Sequence, residues 1–380
     1  MEQPAPPSWQ QFRQQMPVTR HWAYLDHAAV SPLPQPSAER IAQWAQDVCH
    51  HGDVNWSRWD RTIEVIRRHF ARLLGARAEE VAVVRNTTEG VNLVAEGFPW
   101  RQGDNVVVPA AEFPSNRFAW MNLESRGVEV RLIQVPHPRL LLEQIEQACD
   151  RRTRIVTLSW VEYASGWRHD LARAVQIAHA HGALLFVDAI QGLGIFPLDV
   201  HALGIDFLAA DGHKWLLGPE GGGVFFLRQE HLELLRPLGL GWNSVQGRGD
   251  YARLAMPLRP TAARYEGGSF PMAGMVGLAE SLRLILEWKP QRLQQRVLEL
   301  AGTLRQMLRQ AGAQVEEYPE QHQSGIVPFA WPGGEPQQLW RKLRQAGVVL
   351  SARGGLLRAS PHGYNTPEDF QRLIDALRSG

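Results

Sequence analysis

The chain has 380 residues, of which 44% are hydrophobic, and carries a formal net charge of +1. This length and apolar content can bury a large core, which we predict to be divided between two domains, and the near-zero charge offers no electrostatic basis for binding nucleic acid or an anionic membrane surface. The two cysteines, Cys49 and Cys149, are too few for a disulfide framework or a cysteine zinc site.

The beginning of the chain is rich in proline and glutamine and predicts an N-terminal arm over residues 1–30. The opening MEQPAPPSWQ has no basic region followed by an apolar run, so no secretory signal is expected. No stretch of the chain reaches the ~18 uninterrupted apolar residues that a membrane helix needs. We therefore expect a cytoplasmic protein with no membrane partner.

Short apolar runs alternate with helix-like segments between about residues 60 and 230. The candidate strands are Val81–Val84, Asn105–Val108, Glu129–Val135, Arg154–Ser159, Ala183–Val187, Asp206–Ala209 and Gly223–Leu227. Because these runs are apolar on both faces and are separated by helices, they predict a mostly parallel sheet with helices on either side. We predict a large α/β domain over residues 31–273 that binds its ligand beyond the carboxyl ends of the strands.

The pattern changes after about residue 270. A long helical stretch from Gly274 to Ala313 is interrupted near Pro290, and short apolar strands follow in GIVPFAW, VVLSA and GLLRAS. A final helix is predicted with Thr366 as its cap and Asp369 completing a capping box. We interpret residues 274–380 as a smaller α+β domain.

Two charged residues follow predicted strands of the large domain. Asp188 ends the apolar run ALLFVD, where a carboxylate is costly to bury unless it caps the next turn or a cation meets it, and Gln191 could present an amide to the same spot. Lys214 lies just beyond the adjacent candidate strand, as either a surface lysine or an amine that loses its proton in an apolar setting. This pattern is the one that pyridoxal phosphate requires: the lysine forms a Schiff base, and the aspartate keeps the pyridine nitrogen protonated.

Such a cofactor also needs a phosphate site and a residue that covers its ring. Asn86, Thr87 and Thr88 follow a strand and open a helix, whose free N–H groups and dipole favour an anion. Asn86 with Glu89 also fits an ordinary capping box that binds no phosphate. Phe113 closely follows another strand, where its ring could stack on a flat cofactor or pack in the core.

Two other kinds of site are excluded by their context. GPEGGGVFF precedes a strand instead of leading from a strand into a helix, so it is not a dinucleotide fingerprint, and the chain has no G-K-[ST] of a nucleotide-binding loop. The closest histidine groupings, His50–His51 and His179 with His181, are not predicted to have acidic partners at ligand spacing. We therefore expect no metal.

The segment FVDAIQGLGIFPLDVHALGIDFLAADGHKWLLGPEGGG resembles the signature of the class V aminotransferase family, which includes cysteine desulfurases, selenocysteine lyases, kynureninases and isopenicillin N epimerases. Similar blocks occur in family order as YLDHAAVSPLP, RNTTEGVNLVA, EFPSN, SWVEYASGWRHDL, RYEGGSFP and LLRASPHGYNTPEDF. The resemblance implies a fold-type I enzyme with pyridoxal 5'-phosphate as its cofactor. It also implies a large domain around a mostly parallel seven-stranded sheet and a smaller α+β C-terminal domain.

The resemblance gives roles to the residues at matching positions. Lys214 would form the Schiff base and move a proton between the substrate Cα and the cofactor, Asp188 would pair with the pyridinium nitrogen, and Gln191 would bond to the ring hydroxyl. Phe113 holds the ring-stacking position, where desulfurases usually have histidine and kynureninase-like and epimerase-like members have phenylalanine. Arg358 matches the arginine that binds the substrate α-carboxylate, for which a bidentate guanidinium is well suited.

Other matching positions concern the cofactor phosphate. Thr87 and Thr88 match the phosphate site, with His213 beside it. Gly268 and Ser269 match a segment that in relatives reaches the phosphate of the other subunit. The resemblance therefore implies a homodimer with shared active sites.

The sequence departs from the family pattern at three places. Tyr163, a further cofactor-binding candidate, stands where many relatives have an asparagine near the ring oxygen. Asp211 stands where desulfurases commonly have a phosphate-binding serine, and it is given no role because a carboxylate would repel the phosphate unless it turns away. Desulfurases also place a catalytic cysteine in the loop before the arginine, because a thiolate must attack the substrate sulfur. In VVLSARGGLLRAS that loop is short and has no cysteine, so a persulfide-forming desulfurase is disfavoured.

We therefore expect a homodimeric pyridoxal-phosphate enzyme that acts on an amino acid through Lys214, with transamination or epimerisation favoured. The first alternative is a carbon–sulfur or carbon–selenium lyase that lacks the loop cysteine. The second alternative is a non-catalytic regulatory protein that binds the cofactor. It is disfavoured because such a protein would not need Lys214, Asp188 and Arg358 together.

Overall fold

The computed structural model describes residues 7–252 and 254–379. The first six residues of the predicted N-terminal arm, Arg253 and the last residue of the predicted small domain lie outside the described residues. The α-helices are α1 (Trp9–Gln14), α2 (Gln35–His51), α3 (Trp56–Leu74), α4 (Thr87–Gly97), α5 (Ser115–Met121), α6 (Leu141–Ala148), α7 (Leu171–Ala180), α8 (Val200–Leu203), α9 (Met272–Trp288), α10 (Pro290–Gln310), α11 (Pro336–Gln345) and α12 (Pro367–Arg378). None of these helices combines the length and apolar content needed to cross a bilayer.

The β-strands belong to three sheets of the described chain. They are β1 (Ala23–Tyr24), β2 (Val81–Val84), β3 (Asn105–Pro109), β4 (Glu129–Ile133), β5 (Thr153–Ser159), β6 (Leu184–Asp188), β7 (Phe207–Asp211), β8 (Gly223–Leu227), β9 (Gln314–Val315), β10 (Val327–Ala330), β11 (Val348–Val349), β12 (Ser351–Arg353) and β13 (Leu356–Ala359). The seven candidate strands of the large domain are all present, with ends within two residues of those predicted.

The largest sheet has seven strands in the order β2-β8-β7-β6-β5-β3-β4. The strands from β7 to β4 in this order are parallel to their neighbours, whereas β8 is antiparallel to both β7 and β2. The predicted mostly parallel seven-stranded sheet is therefore confirmed. Its parallel part brings the carboxyl ends of β5, β6 and β7 to one edge, where a ligand site is expected.

Alternate side chains of each strand pack on opposite faces of this sheet. In β6, for example, Leu185 and Val187 belong to the hydrophobic cluster that includes residues of α3, α7 and α9, whereas Phe186 belongs to the cluster that includes α4 and α5. Both faces are covered, so the strands are apolar at nearly every position. Burial of each large side chain stabilises the fold by about 1.5–3 kcal/mol, and the sheet is thus a firm base for the residues at its edge.

The C-terminal part of the chain contains a four-stranded antiparallel sheet in the order β12-β13-β10-β9. It shares a hydrophobic cluster with α10, α11 and α12. The N-terminal strand β1 pairs in parallel with β11, and Ala23 and Leu25 are buried in the same cluster. The smaller α+β unit is thus present, while the boundaries at residues 30 and 273 stay predictions.

Two local features of the C-terminal part agree with the sequence. The long helical stretch is interrupted at Lys289, whose φ of 64° separates α9 from α10, and Pro290 takes the first position of the new helix. The capping box of α12 is formed, with the Thr366 N–H donating to Asp369 Oδ2 at 3.1 Å. These predictions are confirmed.

A buried ion pair anchors the segment that leads to Gly268. Arg67 of α3 donates through both terminal nitrogens to Glu266, from Nη1 to Oε1 at 2.5 Å and from Nη2 to Oε2 at 3.0 Å. Glu266 Oε1 also accepts the Val83 N–H of β2 at 2.8 Å. Both charged side chains are buried. Through these contacts Glu266 connects its own segment to α3 and to β2.

We expect Glu266→Gln to lower the free energy of unfolding by about 1.5–3 kcal/mol, because the buried Arg67 would lose its buried counter-charge and keep only the half-exposed Glu64. Glu287→Gln is the matched control: its ion pair with Arg283 is half-exposed and should contribute only about 0.3–0.5 kcal/mol. Chemical denaturation followed by far-UV circular dichroism measures both. Equal losses in the two variants would contradict a special role for the buried pair.

Candidate active site

A pocket of about 370 Å³ opens at the carboxyl ends of β2, β5, β6 and β7. It is lined by Ala28, Ala29, Val30, Asn86, Thr87, Thr88, Phe113, Ser115, Ser159, Tyr163, Asp188, Ile190, Gln191, Asp211, His213, Lys214, Arg353 and Arg358. Nine of the eleven predicted site residues are among them, and only Gly268 and Ser269 are not. The structure thus brings these nine side chains together at the expected edge of the sheet, and their roles stay predictions.

Asp188 and Lys214 are both buried in the pocket wall. Asp188 is the last residue of β6, and its Oδ1 accepts the Ile190 N–H at 3.1 Å. Burial raises the pKa of Asp188 to about 6 and lowers the pKa of Lys214 to about 8, while the attraction between the two charges opposes both shifts. Part of the Lys214 population is therefore a neutral, nucleophilic amine near neutral pH.

Phe113 presents its ring to the pocket. The side chain is 45% exposed, which rules out the alternative of a core phenylalanine. Lys214 Nζ lies 5.7 Å from the ring centre, and the Tyr163 ring meets it edge to face at 5.4 Å between centroids. An open aromatic face beside a reactive amine can stack on a flat ring bound there.

Gln191 is held in one orientation by two neighbours. Its Nε2 donates to the Ala28 carbonyl at 3.0 Å, and its Oε1 accepts the indole N–H of Trp215 at 2.8 Å. The amide nitrogen has two N–H groups, so one remains free to donate. The side chain can therefore offer an N–H donor to a ring hydroxyl in the pocket, and Oε1 keeps a second lone pair.

The first turn of α4 combines an ordinary cap with unused polar groups. Asn86 accepts the Glu89 N–H at 2.9 Å and so caps the helix, but Glu89 Oε2 accepts the Arg85 N–H at 2.6 Å, so the predicted capping box is only half formed. Thr88 donates to Ser115 Oγ at 2.8 Å. Thr87 Oγ1, in contrast, is buried and has no hydrogen-bond partner among the described residues. The first N–H groups of a helix also lack partners within the helix, so an anion fits there.

Asp211 contacts His213. Its Oδ1 lies 3.0 Å from His213 Nδ1, but at an angle that makes no hydrogen bond, and 3.4 Å from the His213 backbone nitrogen, which donates to it. The carboxylate is thus directed at its neighbour along the chain.

Arg358 is 1% exposed and is fixed on three sides. Its Nε donates to Ser351 Oγ at 3.1 Å, and its Nη1 donates to the Tyr163 carbonyl at 2.5 Å. Asp26 Oδ1 lies 3.6 Å from Nη2. Burial lowers the pKa of Arg358 to about 10 and raises the pKa of Asp26 to about 6. Several guanidinium N–H groups still remain for a bound carboxylate.

The chain before Arg358 is a tight hairpin. Gly354 and Gly355 connect β12 to β13 with φ of 56° and 77°, which is the type I′ turn for which glycine is favoured. Neither cysteine lines the pocket: Cys49 is exposed on α2, and Cys149 is buried directly after α6. As predicted, the loop before Arg358 has no cysteine, and the residues that line the pocket include no cysteine either.

Three site features were missed from the sequence. Glu112 is buried, its Oε1 accepts the Ser159 N–H at 2.6 Å, and burial raises its pKa to about 7. Arg353 lines the pocket, and Asp26 reaches Arg358. In the sequence, nothing marked these three residues except that Glu112 lies in EFPSN, Arg353 in VVLSARGG and Asp26 in YLDHAAVSPLP.

Gly268 and Ser269 lie outside the main pocket. They line a separate cleft of about 270 Å³ with Arg85, Glu89 and Leu238, and both are exposed. The expectation that they reach the phosphate of another subunit stays a prediction. Within one chain they contribute nothing to the pocket around Lys214.

One histidine of each grouping has an acidic neighbour, contrary to expectation. His51 Nδ1 lies 3.0 Å from Asp47 Oδ1, and His179 Nε2 lies 2.8 Å from Asp206 Oδ2. The reason is that Asp47 is one helical turn from His51, whereas Asp206 is brought to His179 by tertiary folding. No group of three potential ligands that could hold a metal occurs among the described residues.

The pocket fits pyridoxal phosphate, which carries a flat aromatic ring and a phosphate. Thr87 Oγ1 and His213 Nδ1 are buried polar atoms without a hydrogen-bond partner among the described residues. Such atoms are costly unless a ligand meets them, and both can bind an anion beside the first turn of α4. Phe113, Asp188 and Lys214 offer the ring face, the carboxylate and the amine that the cofactor requires.

Comparison with known proteins agrees with this chemistry. The family model "Aminotransferase class-V" matches residues 23–373. A protein of Methanothermobacter thermautotrophicus named "Probable cysteine desulfurase" is 31% identical, with 96% of each chain covered. The apo structure of a cysteine desulfurase from Thermococcus onnurineus is 26% identical, with a TM-score of 0.88 and 99% and 98% of the two chains covered.

A second solved structure shares the fold at lower identity. It is described as the cystine C–S lyase C-DES in complex with its product cysteine persulfide, and it is 21% identical with a TM-score of 0.90 over 96% of this chain and 99% of that one. The predicted fold-type I architecture and the predicted cofactor are thus confirmed. The chain belongs to the class V aminotransferase family, whose cofactor is pyridoxal phosphate.

Proposed function

We propose that the protein is a pyridoxal-phosphate lyase that breaks the C–S bond of S-substituted cysteines by β-elimination and releases the sulfur product directly into solution. The observation that carries this proposal is the pocket lining, which contains Lys214, Asp188 and Arg358 but no cysteine. The relatives named cysteine desulfurase support cleavage at sulfur. A cystine C–S lyase has the same fold, so the fold is compatible with such a reaction.

Each residue of the pocket would have a distinct part in this reaction. The bound cofactor supplies an electron sink for bond changes at the substrate Cα. Arg358 would hold the α-carboxylate, Phe113 would cover one face of the ring, and Lys214 would take the proton from Cα. An amine with a pKa of about 8 suits that step because it can both accept and release a proton near neutral pH.

The proposed overall reaction consumes one water for each substrate. The Cα–H and Cβ–S bonds break, and the sulfur leaves with the electron pair of its bond. It takes up a proton to become a thiol, or a persulfide when the substrate is a disulfide. The remaining three-carbon unit is hydrolysed to pyruvate and ammonium. No oxidant, no reductant and no protein thiol is required.

The sequence alone favoured transamination or epimerisation, with a carbon–sulfur or carbon–selenium lyase as the first alternative. The relatives named cysteine desulfurase favour that alternative. All of these reactions can begin with removal of the Cα proton, so they differ in the fate of the product. The convergence of Lys214, Asp188 and Arg358 in one pocket argues against a non-catalytic role.

We also propose a homodimer with shared sites that acts in the cytoplasm. Gly268 and Ser269 support the dimer because they are exposed and lie outside the pocket of their own chain. The two unpaired cysteines are compatible with a reducing compartment.

We expect acetic anhydride to label Lys214 with a pH midpoint near 8 in protein freed of its cofactor, because burial disfavours the ammonium form. Asp188→Asn should move the midpoint to lower pH, because the negative charge of Asp188 raises the pKa of Lys214. Peptide mass spectrometry measures each lysine, with Lys289 and Lys342 as controls in the same chain. A midpoint near the ~10.4 of an exposed lysine, or an upward shift in the variant, would argue against this environment.

We expect S-substituted cysteines to yield pyruvate, ammonium and the free sulfur product in equal amounts. A double variant, Cys49→Ser with Cys149→Ala, should keep kcat within about twofold, because neither thiol lines the pocket. Lactate-dehydrogenase coupling measures pyruvate, and mass spectrometry of the protein tests for a persulfide.

Other products would identify the other branches. A keto acid that keeps the sulfur side chain would indicate transamination, and loss of chirality without new products would indicate epimerisation. A persulfide on Cys49 or Cys149, together with loss of turnover in the double variant, would contradict release into solution.

A further inference from the structure

Arg353 is a positively charged residue of the pocket lining that has no role in the proposed reaction. It is the last residue of β12, it is exposed, and it lines the same pocket as Lys214. Among the described residues its side chain makes one hydrogen bond, from Nη1 to the neighbouring Ala352 carbonyl at 3.2 Å. Its guanidinium is therefore available to a ligand.

Arg358 is the second arginine of the pocket, and its setting differs. It is buried, and Ser351, the Tyr163 carbonyl and Asp26 already hold its guanidinium. One arginine is thus fixed at the base of the hairpin, and the other is open at its tip. Such a pair can bind two acidic groups of one molecule.

The register of the hairpin puts both arginines on one face. Ser351 pairs with Arg358, and Arg353 pairs with Leu356, so Arg353 and Arg358 are diagonal neighbours across β12 and β13. Side chains in such positions share a face of the sheet with backbones about 7–8 Å apart. Because Arg358 is buried and held in place whereas Arg353 is exposed, the two guanidinium groups can bind different acidic groups of one ligand.

The turn keeps this arrangement rigid. Gly354 and Gly355 connect the two strands directly, both with positive φ. A two-residue type I′ turn fixes the register of its strands, so Arg353 cannot shift along the sheet relative to Arg358.

The charge of Arg353 also acts inside the pocket. Burial is the main cause of the lowered pKa of Lys214, and the positive charges of Arg358 and Arg353 lower it further. Arg353 likewise opposes the burial that raises the pKa of Asp26. The guanidinium is thus close enough to the reacting region to attract an anionic group of the substrate.

We propose that Arg353 is a specificity-determining residue that binds a second carboxylate of the substrate while Arg358 binds the α-carboxylate. Resting on the proposed function, the substrate class is a cysteine whose sulfur carries a substituent ending in a carboxylate. Disulfides of cysteine with a second amino acid or with an acidic thiol belong to this class. A neutral substituent of the same size leaves Arg353 without a partner and binds more weakly.

The test compares two thioethers of cysteine, S-carboxymethylcysteine and its amide S-carbamoylmethylcysteine, which differ in one charge at nearly equal size. Their dissociation constants for the holoenzyme are measured from the change in cofactor absorbance, which needs no turnover. We expect the wild type to prefer the acid by about tenfold or more, as for a charge-assisted hydrogen bond. Arg353→Gln should reduce this ratio to about one by loss of acid affinity, and Arg353→Lys should restore part of it.

Arg341→Gln is the control, because this exposed arginine of α11 lies outside the pocket and should leave the ratio as in the wild type. Equal affinity of the wild type for acid and amide, or an unchanged ratio in Arg353→Gln, would overturn the proposal, since Arg353 would then be an ordinary solvated arginine. Failure to bind either thioether would overturn it as well. A preference lost in Arg353→Gln without release of any sulfur product would uphold the second carboxylate site and reject the lyase reaction.

Discussion

The burial of opposite charges at the ends of adjacent strands is the constraint on which the site depends. Asp188 ends β6, and Lys214 lies just beyond β7, the neighbouring strand of the parallel sheet. Neither charge is stable in an apolar wall by itself, so each shifts the other's protonation equilibrium. The sheet, covered on both faces, supplies the apolar wall, and the pairing of β6 with β7 brings Asp188 near Lys214. The fold is therefore the direct cause of the shifted pKa values of these two residues.

Much of this arrangement could be predicted because its signals are local. A strand buried on both faces is a continuous apolar run, and the end of that run locates its carboxyl end, as for Asp188. The first residues of a helix can be predicted from short capping patterns, as at Asn86 and Thr366. Parallel pairing then brings the strand ends together without further information.

The rest depends on contacts between distant parts of the chain. Glu112 meets Ser159 from 47 residues away, and Asp26 meets Arg358 across nearly the whole chain. No periodicity or spacing encodes such pairs. Asp211 illustrates the same difficulty: its type suggested repulsion of a phosphate, whereas its orientation towards His213 is a property of the folded loop.

The glycine turn between Arg353 and Arg358 has a consequence for the thermodynamics of binding. A long loop must lose conformational entropy when it orders around a ligand, and part of the interaction energy is spent on that ordering. Here β12 and β13 are joined by two residues and hydrogen-bonded along their length before any ligand arrives. Association with this face should therefore carry a small backbone entropy penalty and little heat from loop rearrangement, and the main entropic cost is the ordering of the exposed Arg353 side chain.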